Sequence, residues 1–418
     1  MKLGGDALAS PARIAAAARL IERRLQSGAV VAVASARRGV TDHLLSLVQQ
    51  VKGDSSGSAR HSRAAAASAD RAIAAGEVVS ASLLSLALGR LGIAAEVLDA
   101  REAGLGSDGH WSRAQITQVR PGRVLKLLSR GVTPVVTGFQ GWHRGRVTTL
   151  GRGGSDTTAV ALTIALRGVR CELVKHRGGL LTADPKVVPD ARLIPRASHR
   201  FVRALALAGA KVIAPRAAVL AEREGIELHF TSVEDDNVSI VQESQSEEAF
   251  AVASRSGRYR LKARLTSPPD RDARRELLRS VESAGLSLEW ELTADSSGTS
   301  LEVLTDPADL DACLEVAWPL LPKGRHLTLL DAGLTTATVF GPAHDQRALI
   351  TDSARIMGAR LLRTFPGVSQ MSFLISDAAG PALVRMLHSA LLAPSPIRSA
   401  DESNDQSTWG RRQHVGQR

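Results

Sequence analysis

Cysteine is almost absent. Cys171 and Cys313 are the only two in 418 residues, and they lie far apart in the chain. That excludes a disulfide framework and a cysteine-built zinc cluster. Aromatic residues make up 3%, with a single tyrosine, so platforms on which bases could stack are scarce. Lysine is rare too, at eight of the 53 basic residues. No apolar run reaches the roughly 18 residues of a membrane span. The opening MKLGGDALASPARI has no apolar core of the signal-peptide kind. The expectation is a cytoplasmic protein with no membrane partner.

The net charge is +11 and the pI about 10.5, which raises the question of a nucleic-acid partner. Arginine is scattered along an Ala-, Gly- and Leu-rich chain rather than clustered, so none is expected. Hydrophobic residues reach 44%, enough for a sizeable core, and the length suggests two or three domains.

Segment 11–27 has helical spacing, VVAVASA (30–36) suits a buried strand, and DHLLSLVQQV suits a helix. The Ser/Ala-rich stretch 53–75 reads as a loop and then a helix ending near Gly76. ASLLSLALGRLG, VLKLLSRG and TTAVALTIALRG read as helices, AAEVLDA and TPVVTGF as strands. Strands alternating with helices imply a mostly parallel sheet with both faces covered.

After about residue 245 the rhythm changes. YRLKARLTS (259–267) is a strand pattern, followed by a helix in RDARRELLRSVESAG, strands in LSLEWELTA and TSLEVLT, and a helix in PADLDACLEVAWPLL. The order repeats from HLTLLDAG (326–333) through a helix around 350–359, ARLLRTF, QMSFLIS and GPALVRMLHSALL. Two βαββα units follow one another. The expected divisions are a first domain over 1–240, modules over 246–320 and 321–392, and a polar, disordered tail over 393–418.

The strongest motif is TTLGRGGSDTTAVAL, Thr148 to Leu162. A glycine-rich turn opens into a helix whose free N–H groups can hold an anion. Arg152 can grip a carboxylate with two prongs. Asp156, the only acid there, suits a hydrogen-bond acceptor or a metal-facing group. Ser155 and Asp156 equally suit a plain helix cap.

Together with TGFQG (137–141), this stretch resembles the signature of aspartate kinases. Further segments resemble the family in its own order: KLGG (2–5), VASARRGVTD (33–42), AGEVVS (75–80), VTPVVTGFQG, CELVKHRGGLLTADPKVVPDAR (171–192) and LALAGAKVIAPRA (205–217). The resemblance implies an amino-acid-kinase fold, a mostly parallel sheet between helices, followed by two ferredoxin-like ACT modules. It implies transfer of the γ-phosphoryl of ATP to the side-chain carboxylate of L-aspartate, with Mg2+ bound along with the substrate phosphates and no metal held by the protein alone. The implied catalytic positions are Lys2, over the transferred phosphoryl, Asp156, and residue 176. Ser35, Glu77, Arg152 and Ser155 would bind substrate, Glu77 at the amino group and Arg152 at the α-carboxylate. Gly4, Gly5, Gly153, Gly154, Lys175, Asp184, Lys186 and Lys211 would meet the nucleotide. The resemblance also implies an amino-acid effector at the ACT modules and a homodimer or larger homo-oligomer. Taken alone, Lys2, Glu77 and Lys211 also suit solvated surface charges. Glu102, Asp108 and His110 read as loop residues, and His143 and His326 as structural.

The sequence departs from the family at several places. Asp6-Ala7 replace a hydroxyl pair in the N-terminal loop. Lys175-His176-Arg177-Gly178-Gly179 replace an acidic motif, and His176 stands where the family has a catalytic Asp. Ala214 replaces a His. In the module loops, TSPPDRDARR has Pro268 and Pro269 but no Gly, and AGLTTATVFGPAHD keeps Gly333. Lys2 follows almost no strand, so the expected start lies further upstream. Either Asp6 has taken over metal contact while Lys175 and Arg177 neutralise phosphate, or the chain is a weak or inactive relative with an effector-binding role. A different carboxylate acceptor, such as acetylglutamate, is the related enzymatic alternative.

Overall fold

The computed structural model describes residues 1–52, 59–175, 178–243, 249–265, 289–295, 298–307, 310, 328–341, 346–365 and 370–392. His176, Arg177, Pro268, Pro269, Cys313, His326, the expected helix at 271–285, most of the one at 307–321, and the tail lie outside these residues.

The N-terminal part is built on an eight-stranded sheet. Its order is Arg196–Ser198, Ser239–Gln242, Leu228–Ser232, Cys171–Lys175, Lys2–Leu3, Ala32–Ala34, Thr133–Thr137 and Ala95–Leu98. All neighbours are parallel except Leu228–Ser232 with Ser239–Gln242. The apolar runs explain why both faces are covered. Side chains alternate across a strand, so Val33, Val136 and Leu173 enter one core while Ala32, Ala34, Val135 and Val174 enter the other. Helices Gly154–Ala165, His199–Leu207 and Pro215–Arg223 close the first face, and Pro11–Leu25 with Ala75–Gly89 the second.

Helix Pro11–Leu25 starts where expected. Ser10 is extended, accepts the Arg13 N–H, and precedes a proline at the first helical position. The stretch 53–75 ends differently from the expectation. Helix Ala59–Ile73 stops, and a separate helix, Ala75–Gly89, contains the whole AGEVVS segment. The stretch Ala64–Gly89 has the length and hydropathy of a membrane span. It nonetheless carries Asp70 and Glu77, both buried in the fold, and packs Ala81, Leu84 and Leu88 into the core.

A four-stranded sheet of Ile116–Val119, Leu105–Ser107, Gln140–His143 and Arg146–Thr149 caps one side. A short hairpin pairs Leu180–Leu181 with Leu193–Ile194.

The C-terminal part is one six-stranded antiparallel sheet, ordered Glu289–Asp295, Gly298–Thr305, Ala251–Leu265, Thr328–Phe340, Gln370–Ser376 and Arg360–Phe365. Two strands are far longer than expected. Thr328–Phe340 continues through LTTATVF, placed above in a loop; its β-branched run buries residues 335–340. Ala251–Leu265 begins eight residues before the expected strand. Its first part pairs with 336–340, and its later part with 299–305. Val252 lies in the same core as Ile350, Leu383 and Leu387. Register shifts near Gly257, with Gly257 and Gly333 at positive φ, mark where the two long strands bend.

Candidate functional site

Strands Lys2–Leu3, Ala32–Ala34, Thr133–Thr137 and Cys171–Lys175 run parallel, so their carboxyl ends share one edge. Ligands of such sheets bind beyond that edge. Gly4, Ser35, Gly138 and Lys175 all lie there.

The centre is an ion pair. Lys2 Nζ lies 2.8 Å from Asp156 Oδ1, and both side chains are nearly inaccessible to water. Asp156 Oδ2 accepts the Ala214 N–H at 3.0 Å. Burial alone would raise the Asp156 pKa; the Lys2 and Lys175 ammonium groups and the two hydrogen bonds outweigh it and hold it at about 2. Lys175 faces the same carboxylate. Burial pushes its ammonium below the ordinary lysine range, against the pull of Asp156 and Asp6. Lys2 pairs with this carboxylate directly, and the Lys175 ammonium adds a second positive charge in its neighbourhood.

The glycines let neighbouring backbone come close here. A Cβ on Gly4 would sit 3.5 Å from Lys2 Nζ, and one on Gly5 would sit 2.7 Å from the Ala36 carbonyl. Gly153 caps helix Gly154–Ala165 in the left-handed region, at φ 71°, and a side chain there would collide with Ala214. Ser155 is buried, with its hydroxyl filling the space beside Gly138.

Glu77 forms the second centre. It is 2% exposed, and Oε1 accepts the Ala36 N–H at 3.0 Å. Oε2 is buried without a hydrogen-bond partner. Burial, only partly offset by that N–H, lifts its pKa to about 7. A buried carboxylate with one open oxygen suits a cation. Gln140 of TGFQG fixes this helix, since its Nε2 donates to the Ala74 carbonyl at 2.9 Å while its Oε1 accepts from Thr137.

Other expected residues are placed apart. Arg152 is exposed, and no ion pair joins it to Glu77 among the described residues. Lys211 is exposed, on the loop that Ala214 anchors to Asp156. Asp184 and Lys186 are exposed in the hairpin turn, where Asp184 Oδ1 accepts the Lys186 N–H at 2.9 Å. Glu102 pairs with Arg123, and Asp108 with His110 and the Gln115 N–H, as loop residues. His143 Nδ1 bonds the Ser107 carbonyl, a structural contact.

Asp70 was not anticipated. Fully buried, it accepts the Ser112 N–H and hydroxyl and the Thr149 N–H at 2.7 Å. It thus ties the 108–115 loop to the strand that leads into the glycine turn. Its only sequence signal is a lone acid in an Ala/Ser-rich stretch.

The carboxylates suit Mg2+ carried on substrate phosphates rather than an ion held by protein alone. Mg2+ is commonly bound by one or two carboxylates plus phosphate oxygens. Both Asp156 oxygens are engaged. Asp6, whose Oδ1 lies 3.2 Å from Arg38 Nη1 on a side chain 41% exposed, is the more accessible carboxylate for such an ion. No cluster of three metal-binding side chains exists among the described residues.

The sequence model of the amino acid kinase family matches residues 1–232. The chain belongs to the amino acid kinase family. The chain is 35% identical over 238 residues to the aspartokinase of Rickettsia prowazekii, covering 56% of this chain and 52% of that protein. It is 37% identical over 238 residues to the aspartokinase of Mycolicibacterium smegmatis, covering 56% and 54%. The chain spans about half the length of the curated relatives it matches. The structure of Escherichia coli aspartokinase III with aspartate and ADP (R-state) superposes with a TM-score of 0.77 at 22% identity, covering 94% of this chain and 99% of that one. At that identity the likeness shows the fold, which extends beyond the amino acid kinase domain into the C-terminal antiparallel sheet.

Proposed function

We propose that this amino acid kinase transfers the γ-phosphoryl group of ATP to the side-chain carboxylate of L-aspartate, giving 4-phospho-L-aspartate and ADP. The carrying observation is the buried Lys2–Asp156 pair at 2.8 Å, set at the glycine turn and the N-terminus of helix Gly154–Ala165. Phosphoryl transfer needs positioned cations and N–H donors more than covalent chemistry. In this reading Lys2 lies over the transferred group and Asp156 fixes its direction. A β-carboxylate oxygen of aspartate attacks the γ-phosphorus, and the bond to the ADP oxygen breaks. Mg2+, when bound with the nucleotide, neutralises phosphate charge, with Asp6 within the residues that would hold it. The open oxygen of Glu77 takes the substrate ammonium, and the exposed Arg152 takes its α-carboxylate.

Glu77 also discriminates the acceptor. N-acetylglutamate has no ammonium to satisfy a buried carboxylate, so L-aspartate fits better. The test is ADP release with ATP and Mg2+, comparing the two acceptors. Aspartate-dependent release with none for N-acetylglutamate supports the reading; the reverse sinks it. The C-terminal sheet fits an ACT-type pair of modules that takes an amino-acid effector, the first module being inserted between strand 251–256 and the rest of the second. Its edge strands, Glu289–Asp295 and Arg360–Phe365, suit a homodimer. Light scattering on the full chain and on one lacking 246–418 checks this, because only the full chain should associate.

A further inference from the structure

One hydrogen bond joins the two ends of the fold. His388, in helix Gly380–Leu392, places its Nε2 2.9 Å from the Thr182 hydroxyl, across 206 residues of sequence. Both side chains are buried, at 1% and 3% exposure. Thr182 closes the loop of the hairpin 180–194. Its N–H donates to the Arg192 carbonyl, and its hydroxyl accepts the Arg192 N–H, each at 2.9 Å. Its carbonyl accepts the Val252 N–H at 2.8 Å. From the same loop, Ala183 and Val188 enter the core formed by Val252, Leu383, Val384, Leu387 and Leu391. Inside the loop, Asp184 accepts the N–H groups of Lys186, Val187 and Val188 and sets the turn.

The helix is held at its other end as well. Gly380 packs so closely on Thr335 that a Cβ would lie 2.8 Å from its hydroxyl. Asp377, three residues before, accepts from Thr335 at 2.6 Å and from the Gly257 N–H, at the bend of the two long strands. The helix is therefore fixed between the bend of the C-terminal sheet and the hairpin of the kinase domain.

We infer that His388 is a positioning residue, through which the C-terminal helix sets the 182–192 turn and with it the nucleotide affinity of the kinase domain. The inference rests on the proposed kinase function and on the resemblance, which implies that Asp184 and Lys186 of this turn meet the nucleotide. Thr182 is the only side chain of the hairpin whose hydroxyl bonds to both the loop closure and the C-terminal helix among the described residues. Removing the imidazole leaves that buried hydroxyl a partner short, and such groups are costly. The loop then loses one of its ties to the helix while the Lys2–Asp156 pair and Glu77 are untouched.

The test uses the full chain with His388→Ala, His388→Gln and Thr182→Val. Hydrogen exchange is read over residues 180–194, and binding of ADP and of L-aspartate is read by calorimetry. Expected are faster exchange confined to 180–194 in the Ala and Val variants, ADP affinity about five- to tenfold weaker, within the range of coupling between sites, and unchanged aspartate affinity. Gln, whose amide reaches the Nε2 position, should recover part of the loss. Unchanged exchange and ADP affinity would overturn the inference. So would equal loss of ADP and aspartate binding with exchange raised throughout. Because Thr182→Val also removes the acceptor of the Arg192 N–H, His388→Leu, which fills the space without a hydrogen-bonding group, decides the matter if His388→Ala does not fold. Failure of the unsubstituted chain to bind ADP would contradict the nucleotide reading, while local exchange at 180–194 would still decide whether His388 sets the turn.

Discussion

Lys2 Nζ meets Asp156 Oδ1 at 2.8 Å inside the protein, and the second oxygen of that carboxylate is taken by the Ala214 N–H. The strand end, the glycine-turn helix and the 211–214 loop therefore converge on one acid. Asp156→Asn should cost about 3–5 kcal/mol of stability, because it leaves buried ammonium groups without a counter-charge. Its low pKa adds a signature. A depressed carboxylate stabilises the fold above its unfolded pKa near 3.8, and that stability is lost as pH falls toward 2. Acid titration of unfolding should show this step in the wild-type chain and not in Asp156→Asn. Lys2→Met should lower turnover by about 10²–10³-fold, the usual cost of one transition-state donor.

Glu77 should make aspartate binding dependent on pH near neutrality. Its pKa of about 7 lies above the ordinary 4.5, so between these values the folded chain holds a proton that the unfolded chain has released. Stability is then greatest below about 4.5 and falls as pH rises to 7, by roughly 3 kcal/mol in all. A substrate ammonium requires the ionised form, so affinity should rise about tenfold per pH unit toward 7 and then level. Calorimetry between pH 5.5 and 8 reads this directly. Glu77→Gln should flatten the profile.

Two glycines at positive φ separate backbone strain from crowding. Gly145→Ala meets nothing within 4 Å and should cost about 1–2 kcal/mol from its φ of 83° alone. Gly153→Ala adds a collision with Ala214, so a further 1–3 kcal/mol is expected. Thermal unfolding of both variants checks the difference, and equal losses would show that the 211–214 loop yields freely.

Lys175 adds a positive charge near the Lys2–Asp156 pair. Binding the ground-state phosphates more tightly does not by itself speed transfer. Lys175→Thr should weaken ATP binding yet raise turnover by a power of ten or more, about 1.4 kcal/mol each. Steady-state kinetics with ATP varied separates the two effects. A fall in turnover would mean that Lys175 has become part of the transfer machinery.

Much of the kinase domain was legible because its signals are local. Apolar runs alternating with helical periods predict the parallel sheet, and Gly151–Gly154 before Ser155-Asp156 predicts the turn and helix that carry the acid. The structure joins Lys2 and the Ala214 N–H on Asp156. What was illegible depends on distant partners. Asp70 acts on residues 42 and 79 positions away, and the Thr182–His388 bond spans 206. Strand 251–265 exceeds the expected 259–267 because pairing with 336–340 makes its first residues a strand. Arg258 gave no hint of its complete burial, where it donates to the Leu304 carbonyl at 2.7 Å.

The most direct measurement is trapping of an acyl phosphate with hydroxylamine, using purified protein, ATP, Mg2+ and L-aspartate. Aspartyl hydroxamate should form only when both ATP and aspartate are present, and Lys2→Met should reduce it to background. Product no greater in the unsubstituted chain than in Lys2→Met would contradict the assignment of the Lys2–Asp156 centre to phosphoryl transfer onto aspartate.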